Sequence, residues 1–181
     1  MDTASLGEGE VTSPLTPPFY RADLSKLDCY KKDAEKSKTL LKDAGSPKVT
    51  FKAIVANAEP PTAIAEAQNI QAQLKPFGID MQIESLELSV YVARWLAADF
   101  DAAIALNGGN PDPHNMFVRY WTSTGNLNKV AGYKDPAIDV LMDKGSVTTD
   151  PAERKKIYDE IQAKLATAAP WVWLYVGFEY R

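Results

Sequence analysis

His114 is the only histidine of the chain, and it stands two residues from Asp112 inside ALNGGNPDPHNMF, Ala105 to Phe117. An acid beside an imidazole is a pairing used both in general-base hydrolysis and in metal binding. A small hydrolase working through Asp112 and His114 is therefore the enzymatic alternative for this sequence. The supporting groups are missing. A general base needs a positioned nucleophile or substrate, and a metal site needs three or four ligands. With one histidine and one cysteine, Cys29, a metal site would rest on carboxylates, and no GxSxG, HExxH, P-loop or GxGxxG pattern occurs. The expectation is no catalytic residue, no metal and no cofactor. Pro113 followed by HNMF reads as the opening turn of a helix, with His114 a bystander.

The same stretch suits binding better than reaction. Gly108 and Gly109 let a ligand approach the main chain. Asn107, Asn110 and Asn115 bring neutral donors and acceptors, and Asp112 is the only charge before His114. Tyr120 and Trp121 follow and offer rings for stacking. A second polar stretch, ANAEPPT from Ala56 to Thr62, carries Asn57 and Glu59. The plain alternative is that Gly, Asn, Asp and Pro are simply how a strand ends.

Strands must hold these loops, and hydrophobic spacing supplies them. VTFKAIVA, Val49 to Ala56, reads as a strand. Ile79 to Glu84 alternates strictly, as a strand with one wet face does. FDAAIAL, Phe100 to Leu106, reads as a central strand covered on both faces. Between them lie helices. Lys32 to Ala44 places Ala34, Leu40, Leu41 and Ala44 on one side and stops at Gly45. Ala63, Ala67, Ile70, Leu74 and Phe77 form one stripe at helical spacing. Ser89 to Ala98 is a short helix with Trp95 on its apolar face. Asp135-Pro136 and Asp150-Pro151 each set an N-cap acceptor before a proline, and Glu153 adds the acid of a capping box. The last helix turns Ile157, Ile161, Leu165 and Ala168 to one side and ends before Pro170. WVWLYV, Trp171 to Val176, predicts a buried final strand with Trp171, Trp173 and Tyr175 on the core face.

Alternation of this kind predicts an α/β fold of three layers, a mostly parallel sheet with helices on both faces. Ligands of such sheets meet loops at the carboxyl ends of the strands, and both polar stretches sit there. The first thirty residues, with SPLTPPFY among them, read as an extended arm; residues 31–181 read as one α/β lobe. Apolar residues at 45% and charged residues at 24% are a globular balance. A net charge of −4 argues against a nucleic-acid surface. No run approaches the ~20 apolar residues of a membrane span, and MDTASLGEGE is acidic and polar, the reverse of a signal peptide.

Several phrases together resemble a known family. VTFKAIVANAEPPTAIAEAQNIQAQLKPFGIDMQIESLELSVYVARW is similar to a strand, long helix, "GI" strand and helix of the family 5 extracellular solute-binding proteins, the peptide, nickel and opine class serving ABC importers. DAEKSKTLLKDAG, ADFDAAIALNGGNPDPHNMF, GYKDPAIDVLMDKG and DPAERKKIYDEIQAKLATAAPWVWLY continue the likeness in order over residues 31–176. The resemblance implies a periplasmic-binding-protein type II-like lobe, the C-terminal one, with residues 1–30 as the hinge crossover. It implies capture of a small solute (peptide, sugar or opine-like) between two lobes and delivery to a membrane permease. It also implies a periplasmic or extracellular location with the native signal peptide outside this chain. With the two cleft loops it implies and the ring of Trp121 that follows, the expected solute contacts are Asn57, Glu59, Asn107, Gly108, Gly109, Asn110, Asp112 and Trp121. Oligopeptide-binding members carry a tryptophan and then an aspartate for the peptide's amino terminus in the loop after the third strand. Leu106 to Pro111 has neither, which weighs against a zwitterionic peptide and toward a sugar, an amide or a carboxylate.

Overall fold

Val49–Ala56 (β1) is the strand around which the sheet forms, because its second half has no wet side. Ala53, Ile54, Val55 and Ala56 are all at most 1% exposed. A strand buried on both faces must be apolar at every position, and KAIVA meets that demand after Lys52. In the computed structural model, residues 18–24, 26–27, 32–107 and 110–176 are described. They fall into two compact units. One unit is 32–107; the other joins 18–24 and 26–27 to 110–176.

The first unit runs Ala34–Asp43 (α1), β1, Ala63–Leu74 (α2), Ile79–Leu86 (β2), Leu88–Ala97 (α3) and Ala102–Ala103 (β3). Its sheet is parallel throughout, in the order β2-β1-β3. β1 pairs with β2 from Val49 opposite Ile79 to Ala56 opposite Leu86, and with β3 at Ala53–Ala102 and Ile54–Ala103. Alternate residues of β1 go to opposite layers. Ala53 and Val55 pack with Ala63 and Ala67 of α2 and with Met81. Ile54 and Ala56 pack with Tyr91 of α3, flanked by Trp95 and Phe100. These are the three expected layers. Gly78, at φ +74°, makes the left-handed turn between the 3-10 turn Lys75–Phe77 and β2.

One expectation fails in this unit. FDAAIAL is not the central strand. Only Ala102–Ala103 is paired, at one edge of the sheet, and Leu106 is 69% exposed. β1 takes the centre instead, since it alone has partners on both sides and a helix on each face. The apolar side of α1 lies open, with Leu40 59% exposed.

The second unit is helical: Pro113–Trp121 (α4), Asn128–Ala131 (α5), Pro136–Val147 (α6) and Pro151–Ala168 (α7). Asp112, Asp135 and Asp150 cap α4, α6 and α7 through side-chain oxygens, each with proline next. The capping box is only half formed. Asp150 accepts from Glu153 N at 2.8 Å, but the Glu153 carboxylate is taken by Lys156 Nζ at 2.7 Å. Phe117, Ile138, Met142, Tyr158, Ile161 and Leu165 are at most 2% exposed and make the core. Ala168, placed on the apolar side by its spacing, is exposed in the last turn of α7.

The expected final strand is absent among the described residues. Positions 171–175 carry no strand, and Val176 is a single bridge residue. Trp171 meets Tyr120 and Trp121 edge-on, with ring centroids 4.9 and 4.8 Å apart, and Trp173 approaches Trp121 at 6.2 Å. The aromatic segment packs on α4 through rings rather than through a backbone ladder.

Candidate functional site

Asp112 ends the loop that the sequence singled out, and it is fully engaged. Its Oδ1 accepts from His114 N at 2.8 Å, which caps α4. Arg154 Nη2 donates to Oδ1 at 2.8 Å and Oδ2 at 3.1 Å. Burial alone would raise the Asp112 pKa. The Arg154 guanidinium and the His114 N–H outweigh it and hold the carboxyl below its ordinary value. An acid held ionised and paired in this way is a poor proton acceptor.

Arg154 spends its remaining donors on the same cluster. Its Nε donates to Gly145 O at 3.0 Å and its Nη1 to Tyr20 Oη at 3.1 Å. Its guanidinium carbon lies 5.1 and 5.5 Å from the ring centres of Tyr158 and Tyr20. The hydrogen bond that it donates to Asp112 leads the effects that raise its pKa above the ordinary arginine value. Tyr158 is fully buried, and desolvation pushes its hydroxyl up to about 12. That hydroxyl and His114 Nδ1 share a hydrogen bond of 3.1 Å. The imidazole is therefore turned to Tyr158, not to the Asp112 carboxylate. One turn further along α7, the buried Gln162 donates to Tyr20 O at 2.7 Å and accepts from Ala22 N at 3.2 Å. Lys155 Nζ donates to Arg21 O. So the arm at Tyr20–Ala22 is fastened along α7 from Arg154 and Lys155 to Gln162, two turns further on.

Asn110 opens the turn before Asp112. Its Oδ1 accepts from Asp112 N at 3.0 Å and from Asn115 Nδ2 at 3.4 Å. Gly108 and Gly109 lie outside the described residues. Trp121, offered by the sequence as a stacking surface, is 3% exposed, and its ring is covered by Trp171, Tyr133 and Trp173; Tyr120 is 4% exposed. Their faces are occupied by the chain's own aromatics.

In the first unit, Asn57 and Glu59 are exposed just past the carboxyl end of β1. Asn57 N donates to Leu86 O at 2.9 Å, which carries the ladder one step past the strand. Asn107 follows β3 at the same edge and is half-buried. Tyr91 Oη donates to Ile104 O at 2.6 Å and steadies the approach to that loop. Among the described residues no three His, Cys, Asp or Glu side chains group to hold a metal, and no helix is long and apolar enough to cross a membrane. Arg154, Tyr158, Gln162 and Tyr20 are the residues that sequence reasoning missed. Their one signal is the run Arg154, Tyr158, Gln162 at intervals of four along α7, beside the apolar face.

The parallel three-layer unit with polar loops past its strand ends shares the type II periplasmic-binding-protein fold of its structural neighbours. The periplasmic binding protein DppA of Helicobacter pylori, solved with the peptide STSA, shares this architecture at a TM-score of 0.80 and 27% identity. It aligns over 94% of this chain and 34% of its own. Residues 1–129 match the family model for bacterial extracellular solute-binding proteins, family 5, middle, and the chain belongs to that family. Di/tripeptide-binding protein 4 of Pseudomonas aeruginosa is 30% identical over 163 residues, 86% of this chain and 30% of that protein. Heme-binding protein A of Haemophilus influenzae is 28% identical over 167 residues, 88% of this chain and 30% of that protein. The chain thus spans about a third of the length of the curated relatives it matches.

Proposed function

We propose that this chain is a lobe of the solute-binding component of an ABC importer, which captures a small solute outside the cytoplasm for a membrane permease. The family match over residues 1–129 carries this reading. The solute class favoured is a short peptide, against the sequence expectation of a sugar, an amide or a carboxylate, since a relative at 30% identity is named for di- and tripeptides. Asn57, Glu59 and Asn107 on one unit, and Asn110 on the other, are each proposed as solute contacts; Asp112 holds the turn behind Asn110. Gly108 and Gly109 stay in the proposal on their sequence alone. No chemistry is done on the solute. The hydrolase alternative finds no support in the geometry, because Asp112 is tied to Arg154 and His114 faces Tyr158.

The test is thermal unfolding of the intact, ligand-free protein with alanylalanine, a monosaccharide or an opine. A ligand at a hundredfold its Kd adds about 2.7 kcal/mol. For a chain of 181 residues that is a rise of about 5–11 °C, and proportionately less for a longer protein. A rise with the dipeptide alone is the expected result. A rise with the sugar or opine instead would move the solute class. No rise with any of them, together with hydrolysis of a peptide or ester lost in His114→Ala, would overturn the reading.

A further inference from the structure

Asn110 has one end of its amide committed, and the physics of that commitment says what the other end can read. A backbone N–H is only a donor, so the Asn110 atom 3.0 Å from Asp112 N must be the carbonyl oxygen. The Asn115 amide nitrogen approaches that same oxygen at 3.4 Å. The orientation of the Asn110 amide is therefore fixed, and its Nδ2, with two N–H donors, makes no hydrogen bond to a described residue. The nearest carboxylate along the chain cannot change this polarity, because Asp112 is neutralised by both oxygens facing Arg154. The side chain is half-buried, so it is oriented yet reachable.

From this geometry we infer that Asn110 presents a hydrogen-bond donor to the solute and recognises an oxygen acceptor, a carboxylate or carbonyl, rather than an ammonium group. The inference rests on the solute-binding reading above and names the group that this part of the site selects. A carboxylate at position 110 would keep the oxygen that accepts from Asp112 N but replace the outward donors with a negative acceptor. The sign of that substitution's effect separates the two polarities.

The experiment is isothermal titration of the intact protein with alanylalanine and with N-acetyl-alanylalanine, comparing wild type, N110A and N110D. The expected order of affinity is wild type, then N110A, then N110D. N110A should lose about tenfold, as for one hydrogen bond, and N110D more, by repulsion. Acetylation removes the ammonium, so it should leave the ratio of wild type to N110D unchanged. N110D binding as tightly as wild type or tighter, with that advantage lost on acetylation, would show that an ammonium faces this position and overturn the inference while the receptor reading stands. Equal losses in N110A and N110D for both probes would reduce Asn110 to a structural role and overturn it likewise. If N110D melts below the titration temperature, N110A decides: no loss of affinity refutes the donor. Binding of neither probe by folded wild type would remove the peptide-receptor reading and the inference with it.

Discussion

Arg154→Met removes the guanidinium while keeping most of the stem, and the structure gives the size of the loss. Two hydrogen bonds from a charged donor disappear, to Gly145 O and Tyr20 Oη, at about 1 kcal/mol each. Two ring contacts, at 5.1 and 5.5 Å, are worth about 0.5–1 kcal/mol each. The ion pair to Asp112 adds no more than about 1 kcal/mol, because the Asp112 side chain is 43% exposed and water screens it. These terms share atoms and do not simply add, so the expected loss is about 3 kcal/mol, or a melting temperature lower by about 6–12 °C. Part of that loss depends on pH, with a definite sign. The Asp112 pKa is lowered in the folded state. Its contribution is therefore complete above the unfolded carboxylate value and disappears as pH falls through the folded one. Urea unfolding of wild type and variant at pH 7, 5 and 3 should show a gap constant between pH 7 and 5. By pH 3, below the ordinary value of 3.8, it should have begun to narrow. Arg154→Lys keeps the charge but not the fork or the stacking, so it should recover less than half of the loss. A loss under about 1 kcal/mol, or a gap that widens on acidification, would refute this account of the cluster.

Gly145→Ala sets two effects against each other. Alanine gains about 1 kcal/mol of helix propensity inside α6, but its Cβ would lie 3.0 Å from Tyr158 Oη and 3.1 Å from the ring. Tyr158 cannot yield, being fully buried among Phe117, Tyr20 and Arg154. The net effect is destabilising by about 1 kcal/mol, read from denaturant midpoints; a more stable variant would show that Tyr158 has room. Gln162→Leu leaves Ala22 N and Tyr20 O without their partner and should cost about 2–3 kcal/mol. It should also speed tryptic cleavage after Arg21, because the arm loses its fastening; an unchanged cleavage rate would count against that role.

The legible parts of the fold are those written locally. Asp135-Pro136 and Asp150-Pro151 mark helix starts because cap and proline act within one turn, and α6 and α7 begin there. The strand-helix-strand alternation marks a parallel sheet because the chain must cross over between its strands, and β1 and β2 pair in parallel. Strand order is different. VTFKAIVA and FDAAIAL are about equally apolar, and which one lies in the middle depends on partners tens of residues away. WVWLYV alternates like a strand, but its tryptophans find their partners in Tyr120 and Trp121 of α4. Alternation reports which residues share a side, not what supplies the backbone hydrogen bonds.

The Asp112–His114 pair misleads for a reason that sequence does contain. Residues two apart at the start of a helix do not face one another, and an Asp N-cap spends its oxygen on the backbone N–H two or three residues on. Asp-Pro-His at a helix start is therefore a cap first, and the imidazole departs from the carboxylate as the helix begins. What the sequence cannot supply is where each group goes next. Asp112 meets Arg154, 42 residues on, and His114 meets Tyr158, 44 residues on. Both partners come from α7, four residues apart, so one face of one helix receives the two groups that looked like a catalytic pair. The chemistry available to Asp112 is the chemistry of an anchored turn, and the amide oxygen of Asn110 helps to hold that turn.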